Sequence, residues 1–72
     1  MSALSERLRM YRLLAGLSQG DLAASIGRSQ AWLSQLERGH RPPSPSDLEA
    51  LARALGVAPR LLRGLARPKG QR

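Results

Sequence analysis

The stretch that decides the fold runs from Ser18 to Gly39 and reads SQGDLAASIGRSQAWLSQLERG. Each half opens on a serine, Ser18 or Ser29, whose hydroxyl oxygen suits the free amides of a first helical turn. Asp21 follows Ser18 at the spacing of a capping box built with a carboxylate. Between the halves stands Gly27, which readily adopts the left-handed conformation that ends a helix. The stretch therefore predicts two short helices joined by a tight turn, a helix-turn-helix.

The second helix of this motif, predicted from Gln30 to about Arg38, has two chemically different sides. At about 100° per residue, Leu33 and Leu36 fall on one side, with Trp32 at its edge. The other side consists of Gln30, Ala31, Ser34 and Gln35. We expect Trp32 to be half-buried against the first or fourth helix, the alternative being an indole N–H that donates to a partner. The apolar side is expected in the core, which leaves the polar side for a partner.

The helix before the motif is predicted from about Ser5 to Ala15. Ser2 or Ser5 is a suitable cap, and Gly16 ends the helix. Its apolar stripe consists of Leu4, Leu8 and Tyr11, extended by Leu13 or Leu14.

Two helices are predicted after the motif. The fourth begins at Ser44, with Pro45 in the first helical position and Asp47 in the third, and Gly56 closes it. The fifth covers about residues 59–65. Their apolar residues are Leu48, Leu51, Ala52, Leu55, Leu61, Leu62 and Leu65. The absence of Phe and the few β-branched residues argue against a sheet, so the predicted fold class is all-α.

Composition limits the chain to one small domain without covalent staples. Its 72 residues include no cysteine and a single histidine, so neither a disulfide nor a metal site is expected. Residues 1–66 are expected to form the helix-turn-helix domain, and residues 67–72 a basic disordered tail or linker. No signal peptide and no apolar run of the ~20 residues that span a bilayer are found. We therefore expect a cytoplasmic protein without membrane contact.

The charge of the chain favours a polyanionic partner. Twelve Lys and Arg stand against five Asp and Glu, a formal net charge of +7. Gln30 lies where recognition helices meet base edges, and its amide matches the donor and acceptor of adenine. We therefore expect double-stranded DNA as the partner, with base contacts from Gln30, Ala31, Ser34 and Gln35. The alternative is that these are ordinary solvated side chains.

From about Leu8 to Leu62, the chain resembles the Cro/repressor-type (Xre-like) helix-turn-helix family. The residues that carry the resemblance are Leu8-Arg9, Arg12, Gly16-Leu17-Ser18-Gln19, Leu22-Ala23, Gly27, Ser29-Gln30, Leu33-Ser34, Leu36-Glu37-Arg38-Gly39, Pro43-Ser44, Leu48, Leu51-Ala52, Leu55-Gly56-Val57 and Leu61. Each is a weak signal, and their joint spacing is a strong one. The resemblance implies a compact five-helix, lambda-repressor-like domain whose third helix enters the major groove of an operator, usually as a dimer.

The resemblance also implies roles around the polar side. Gln19 is expected to contact a phosphate and to brace Gln30. Arg12 and Glu37 are expected to form a partly buried ion pair between the first and third helices. The residues expected at the phosphate backbone are Gln19, Arg38, His40 and Arg41, with Arg28 in the turn as a further candidate. For each of them a solvated side chain is the alternative.

These expectations combine into a sequence-specific, repressor-like regulator that acts as a homodimer on two half-sites about one helical turn apart. The last helix is a candidate dimer surface, where Leu61 and Leu62 are flanked by Arg60, Arg63 and Arg67. Neither an enzymatic activity nor a cofactor is expected, because nucleophile and phosphate-loop motifs are lacking. The rival interpretation is an antitoxin, or a regulatory module with a second domain or protein partner. A protein interface would be more apolar at its centre than this Gln/Ser face.

Overall fold

Five α-helices make up residues 3–63, the part of the chain that the computed structural model describes. They are α1 (Ala3–Leu14), α2 (Gln19–Ser25), α3 (Gln30–Glu37), α4 (Pro45–Leu55) and α5 (Pro59–Arg63). No strand occurs among these residues, and the predicted all-α, five-helix class is confirmed. α2 packs on α3 and α4, and α1 packs on α3 and α5, while α5 also contacts α4. The helices thus enclose a single core.

Serines begin three of the helices, as the sequence predicts. In each case the serine Oγ accepts a hydrogen bond from the backbone amide three residues later, at 3.0 to 3.1 Å. The pairs are Ser18–Asp21 for α2, Ser29–Trp32 for α3 and Ser44–Asp47 for α4. Such a bond satisfies an amide that has no partner within the helix. The starts of these helices are therefore fixed by local sequence.

The predicted start of α1 at Ser5 is wrong. The helix begins at Ala3, so Ser5 lies inside its first turn, where it is buried and cannot act as the cap. The alternative cap, Ser2, lies outside the described residues. So do Leu65 and Arg67 and the tail predicted over residues 67–72.

The core is built from leucine, with two alanines and one tryptophan. Its buried members are Leu8, Leu22, Ala23, Trp32, Leu33, Leu36, Leu48, Leu51, Ala52 and Leu62. Burying one leucine side chain is worth about 1.5–3 kcal/mol. All five helices contribute to this core, so the helix-turn-helix is held by α1, α4 and α5 as well as by its own contacts.

The predicted extension of the α1 stripe is wrong. Leu13 and Leu14 are 56 % and 74 % exposed, and the inward position is taken by Arg12, which is buried. An arginine occupies that place because Glu37 of α3 supplies an anion inside the fold. Leu13 and Leu14 therefore form, with the half-exposed Met10, an apolar patch on the outer side of α1.

The prediction that α5 forms a dimer surface is wrong for one of its residues. Leu62 is fully buried, because α5 closes the core against α1 and α4, so its side chain is not available to a partner. Leu61 is half-buried, while Arg60 and Arg63 are exposed.

Candidate nucleic-acid interface

α3 separates its side chains as the helical spacing predicts. Leu33 and Leu36 are buried in the core. On the opposite side Gln30, Ala31 and Gln35 are exposed, and Ser34 is half-exposed. We call these four residues the reading face. Their hydroxyl and carboxamide groups are free to approach a surface that offers both donors and acceptors.

The turn before α3 is closed by backbone hydrogen bonds. The amide of Gly27 donates to the carbonyl of Ala24 at 3.1 Å, and that of Arg28 donates to the carbonyl of Ala23 at 2.8 Å. Gly27 has a φ of +75°, in the left-handed region that favours glycine. Ala23 itself is fully buried. These contacts fix the direction in which α3 leaves the turn and so aim the reading face.

Arg12 and Glu37, expected to pair between α1 and α3, lie in contact in the structure. Arg12 Nε donates to Glu37 Oε2 at 2.6 Å, and Arg12 Nη2 donates to Glu37 Oε1 at 3.0 Å. Both side chains are buried. Arg12 Nη1 also donates to the carbonyl of Leu17 at 2.8 Å, in the connection before α2. The pair therefore ties α1, the start of α2 and the end of α3 together.

Gln19 also belongs to this cluster. Its Nε2 donates to Glu37 Oε1 at 3.0 Å. A carboxylate is a stronger acceptor than a neutral amide, so the side chain turns toward Glu37. Gln30 lies beside α2 at another point, because a Cβ placed on Gly20 would be 4.0 Å from Gln30 Oε1. The bracing of Gln30 by Gln19 therefore stays a prediction, while the hydrogen bond from Gln19 to Glu37 is a contact that was not expected.

Arg28 is engaged by contacts that the sequence did not reveal. Its Nη2 donates to Asp47 Oδ1 of α4 at 2.8 Å. Its guanidinium carbon lies 4.7 Å from the centroid of the Trp32 ring, within range of a cation–π interaction. Trp32 is only 8 % exposed and so is buried more deeply than the half expected. Arg28 and Asp47 are 19 residues apart, and no local pattern connects them.

Asp47 is ionised more readily than an ordinary aspartate. Burial opposes its charged form, but hydrogen bonds with Arg28 and Ser44 and the charge of Arg28 outweigh that effect. The pKa of Asp47 is therefore lowered.

The remaining residues expected at phosphates follow α3. α3 ends at Glu37, Gly39 follows with a φ of +78°, and the amide of His40 donates to the carbonyl of Gln35 at 2.9 Å. The side chains of Arg38, His40 and Arg41 are all exposed. They are held beside the reading face by this backbone contact.

The expected phosphate residues fall into two groups along α3. Arg28 and Arg41 line one groove, of about 470 Å³, which also contains Ala31 and Gln35 of the reading face. Gln19, Arg38 and His40 line a second groove, of about 550 Å³, which reaches across to α1. α3 therefore has polar or cationic side chains along both of its flanks.

None of the helices within residues 3–63 is long and apolar enough to cross a lipid bilayer.

Comparison with known proteins identifies the family. A family model described as a helix-turn-helix domain matches residues 3–66. An uncharacterized HTH-type transcriptional regulator, y4dJ of Sinorhizobium fredii, is 51 % identical over 43 residues, which cover 60 % of this chain and 56 % of y4dJ. Cyanate hydratase of a Synechococcus strain is 33 % identical over 64 residues, 89 % of this chain and 43 % of the hydratase. The chain thus spans about half of each of these two relatives.

A solved structure shares the whole arrangement of helices. The P22 c2 repressor protein, determined in complex with a synthetic operator, superposes with a TM-score of 0.79 and is 32 % identical. The superposition covers 86 % of this chain and 94 % of the repressor chain. Because the family model covers most of the sequence and the five helices match those of a repressor, this chain belongs to the helix-turn-helix domain family, in its Cro/repressor (Xre-like) type.

Proposed function

We propose that this chain is the DNA-binding domain of a transcriptional regulator, and that it recognises double-stranded DNA by inserting the reading face of α3 into the major groove. The observation that carries the proposal is the polar reading face with phosphate-binding groups on both flanks. An α-helix with its side chains is about 10–12 Å across, so α3 fits a major groove that is about 12 Å wide.

The reading face offers the chemistry that base recognition needs. Gln30 and Gln35 each carry a carboxamide that donates and accepts, the pattern of adenine in the major groove. Ser34 suits several base edges, and the methyl group of Ala31 suits the methyl group of thymine. A well-formed bidentate contact is worth about 1–3 kcal/mol of discrimination.

The side chains along the two flanks of α3 add affinity for DNA but no preference for a particular base sequence. We assign phosphate contacts to Gln19, Arg28, Arg38, His40 and Arg41. Gln19 gives one amide hydrogen to Glu37 and keeps the second for a phosphate oxygen. The net charge of +7 adds long-range attraction to DNA, which salt weakens.

Family membership by itself does not assign an activity. One relative is named as an enzyme, and the same fold serves unrelated functions in many families. The exposed side of α3 is therefore the basis of the proposal, and we assign no catalytic role to this domain.

We further propose that the protein acts in the cytoplasm as a homodimer, because one α3 reads only a few base pairs. Two copies on half-sites about one helical turn apart would read a site long enough for useful specificity. Repression of transcription is the expected outcome of such binding.

A protein partner is the second candidate, as an antitoxin or as a regulatory module of a longer protein. The apolar patch of Met10, Leu13 and Leu14 on α1 favours it, since such patches often mark contacts between proteins. Met10 and Leu13 line the same groove as Gln19, Arg38 and His40, so a protein bound to this patch would compete with the phosphate contacts proposed on that flank of α3.

A selection of genomic DNA fragments by the full chain tests the proposal. We expect one short, nearly palindromic sequence to be enriched, and light scattering to show two copies of the chain on the enriched site. The matched control is the variant Gln30→Ala with Gln35→Ala, which should enrich no sequence while still binding DNA at low salt. Absence of any enriched site with the unmodified chain would contradict DNA recognition and favour the protein-partner alternative.

A further inference from the structure

We propose that Asp47 of α4 is a positioning residue for DNA recognition: together with the Trp32 ring, it holds the Arg28 guanidinium beside the reading face, in place to meet a backbone phosphate. This inference rests on the proposed function. It concerns one side chain of that site and the two groups that hold it.

Arg28 is held at three points. Its backbone amide is bonded to the carbonyl of Ala23 at 2.8 Å, which anchors the start of the side chain in the turn. Its Nη2 donates to Asp47 at 2.8 Å, and its guanidinium plane lies over the Trp32 ring. An arginine that is free to rotate loses much rotamer freedom when it binds a ligand. Because these contacts already restrict the Arg28 side chain in the free protein, less rotamer freedom is lost when DNA binds.

Asp47 is itself a fixed group. Its backbone amide donates to the capping Ser44 Oγ at 3.1 Å, and its carboxylate accepts the hydrogen bond from Arg28 Nη2 at 2.8 Å. The carboxylate therefore stays charged and in one place at neutral pH. A support of this kind is more effective than a mobile surface acid, because its own position is already determined.

The guanidinium keeps donors for a second partner. It has five N–H groups, and its hydrogen bond with Asp47 uses one of them. The Arg28 side chain is 44 % exposed and lines the groove that also contains Ala31, Gln35 and Arg41. A DNA strand following this groove would therefore meet Arg28 next to the reading face.

The negative charge of Asp47 also repels a phosphate, and this repulsion opposes the benefit of holding the Arg28 guanidinium in place. The relative exposure of the two side chains decides between the effects. Asp47 is only 17 % exposed and does not line this groove, whereas Arg28 is 44 % exposed and does line it. A phosphate that enters from the groove meets the cation first. We therefore expect positioning to outweigh repulsion.

Binding of the variant Asp47→Asn to the selected operator tests the inference, with Glu49→Gln as the matched control. Glu49 is an exposed acid on the same helix, so its variant removes one negative charge away from Arg28. We expect Asp47→Asn to raise the Kd about three- to tenfold. Glu49→Gln should leave the Kd unchanged or lower it slightly. A lower Kd for Asp47→Asn would overturn the proposal and make Asp47 a competitor of the phosphate.

A double-mutant cycle separates positioning from a general loss of stability. In the Arg28→Ala background, Asp47→Asn should cause no further rise in Kd, because no guanidinium remains to be positioned; loss of the repulsion between Asp47 and phosphate should leave the Kd unchanged or lower it slightly. The same loss in both backgrounds would show that Asp47 acts only through stability. The variant Asp47→Glu, which keeps the charge on a longer stem, should recover part of the affinity.

The side-chain Nε–H signal of Arg28 in the free protein gives a readout without DNA. NMR relaxation should show an ordered guanidinium in the unmodified chain and a mobile one in Asp47→Asn. A mobile guanidinium in the unmodified chain would refute the role of Asp47 even if operator binding is strong. Failure of the unmodified chain to select any operator would instead reject the proposed function, and this inference with it.

Discussion

The carboxylate of Glu37 in α3 forms a bidentate ion pair with the guanidinium of Arg12 in α1, in which Nε and Nη2 donate to the two carboxylate oxygens at 2.6 and 3.0 Å. The amide of Gln19 donates to the same carboxylate at 3.0 Å. One buried acid therefore joins three helices, α1, α2 and α3. The acid is buried in the last turn of α3, and its contacts fix where the reading face stands relative to α1 and α2.

Removing this acid should be far more costly than removing an exposed one. We expect Glu37→Ala to lower the free energy of unfolding by about 3–5 kcal/mol, because it leaves the Arg12 charge buried without a partner. Urea unfolding followed by circular dichroism measures the change. The matched control is Glu49→Ala, at an exposed acid of α4, which should change stability by about 0.5 kcal/mol at most. Equal effects of the two variants would contradict the role of Glu37.

Two glycines of the helix-turn-helix, Gly20 in α2 and Gly27 in the turn, should respond to substitution by alanine in opposite directions. Gly27 has a φ of +75°, so Gly27→Ala should destabilise the domain by about 1–2 kcal/mol, although no atom lies within 4 Å of the added methyl group. Gly20 lies inside α2, where a Cβ would be 3.8 Å from Ser18 Oγ, an ordinary contact. Gly20→Ala should therefore stabilise the domain by about 0.5–1 kcal/mol. Thermal unfolding of both variants checks this, and destabilisation by both would show that backbone conformation is not the deciding factor.

Much of the fold follows from local sequence signals. The caps at Ser18, Ser29 and Ser44 and the turn at Gly27 are each set by a few neighbouring residues, so the helix starts of α2, α3 and α4 are predictable. The two sides of α3 follow from helical spacing in the same way. These features depend on hydrogen bonds and dihedral angles within one or two turns.

The predictions that are wrong concern side chains whose positions depend on residues far away in the sequence. Helical spacing places leucines inward and arginines outward, but Glu37 draws Arg12 into the fold and leaves Leu13 and Leu14 outside. Likewise, Asp47 holds Arg28 from another helix, and Gln19 of α2 donates to Glu37 of α3. Spacing along one helix contains no information on such contacts between helices.

Acid should remove the contribution of Asp47 to stability. Its pKa in the folded domain lies below the ordinary value of 3.8, so the folded state binds this proton less tightly than the unfolded state does. The stabilisation is then complete above about pH 5 and is lost as the pH falls through the lowered pKa. Urea unfolding of the unmodified chain and of Asp47→Asn should give a difference in stability that is largest near pH 7 and shrinks below about pH 4. A difference that is constant with pH would contradict the ionic contact with Arg28.

Arg41 should contribute affinity but no specificity. We expect Arg41→Ala to weaken binding to operator and scrambled DNA alike, and to reduce the slope of log K against log salt by about one. The matched control is Arg53→Ala, which removes an equal charge from an exposed position of α4 near Glu49 and Val57, away from the reading face. Binding at four or five salt concentrations measures both slopes. An unchanged slope for Arg41→Ala would remove Arg41 from the phosphate contacts.

The central claim is that the exposed side of α3 reads base pairs, and Gln30 tests it most directly. The measurement is the Kd of the unmodified chain and of Gln30→Ala for the selected operator, for each single-base-pair change of it, and for scrambled DNA. We expect Gln30→Ala to lose about 1–3 kcal/mol of discrimination at one operator position and to bind scrambled DNA as the unmodified chain does. Equal weakening on every sequence, or no change on any, would contradict base reading by this face.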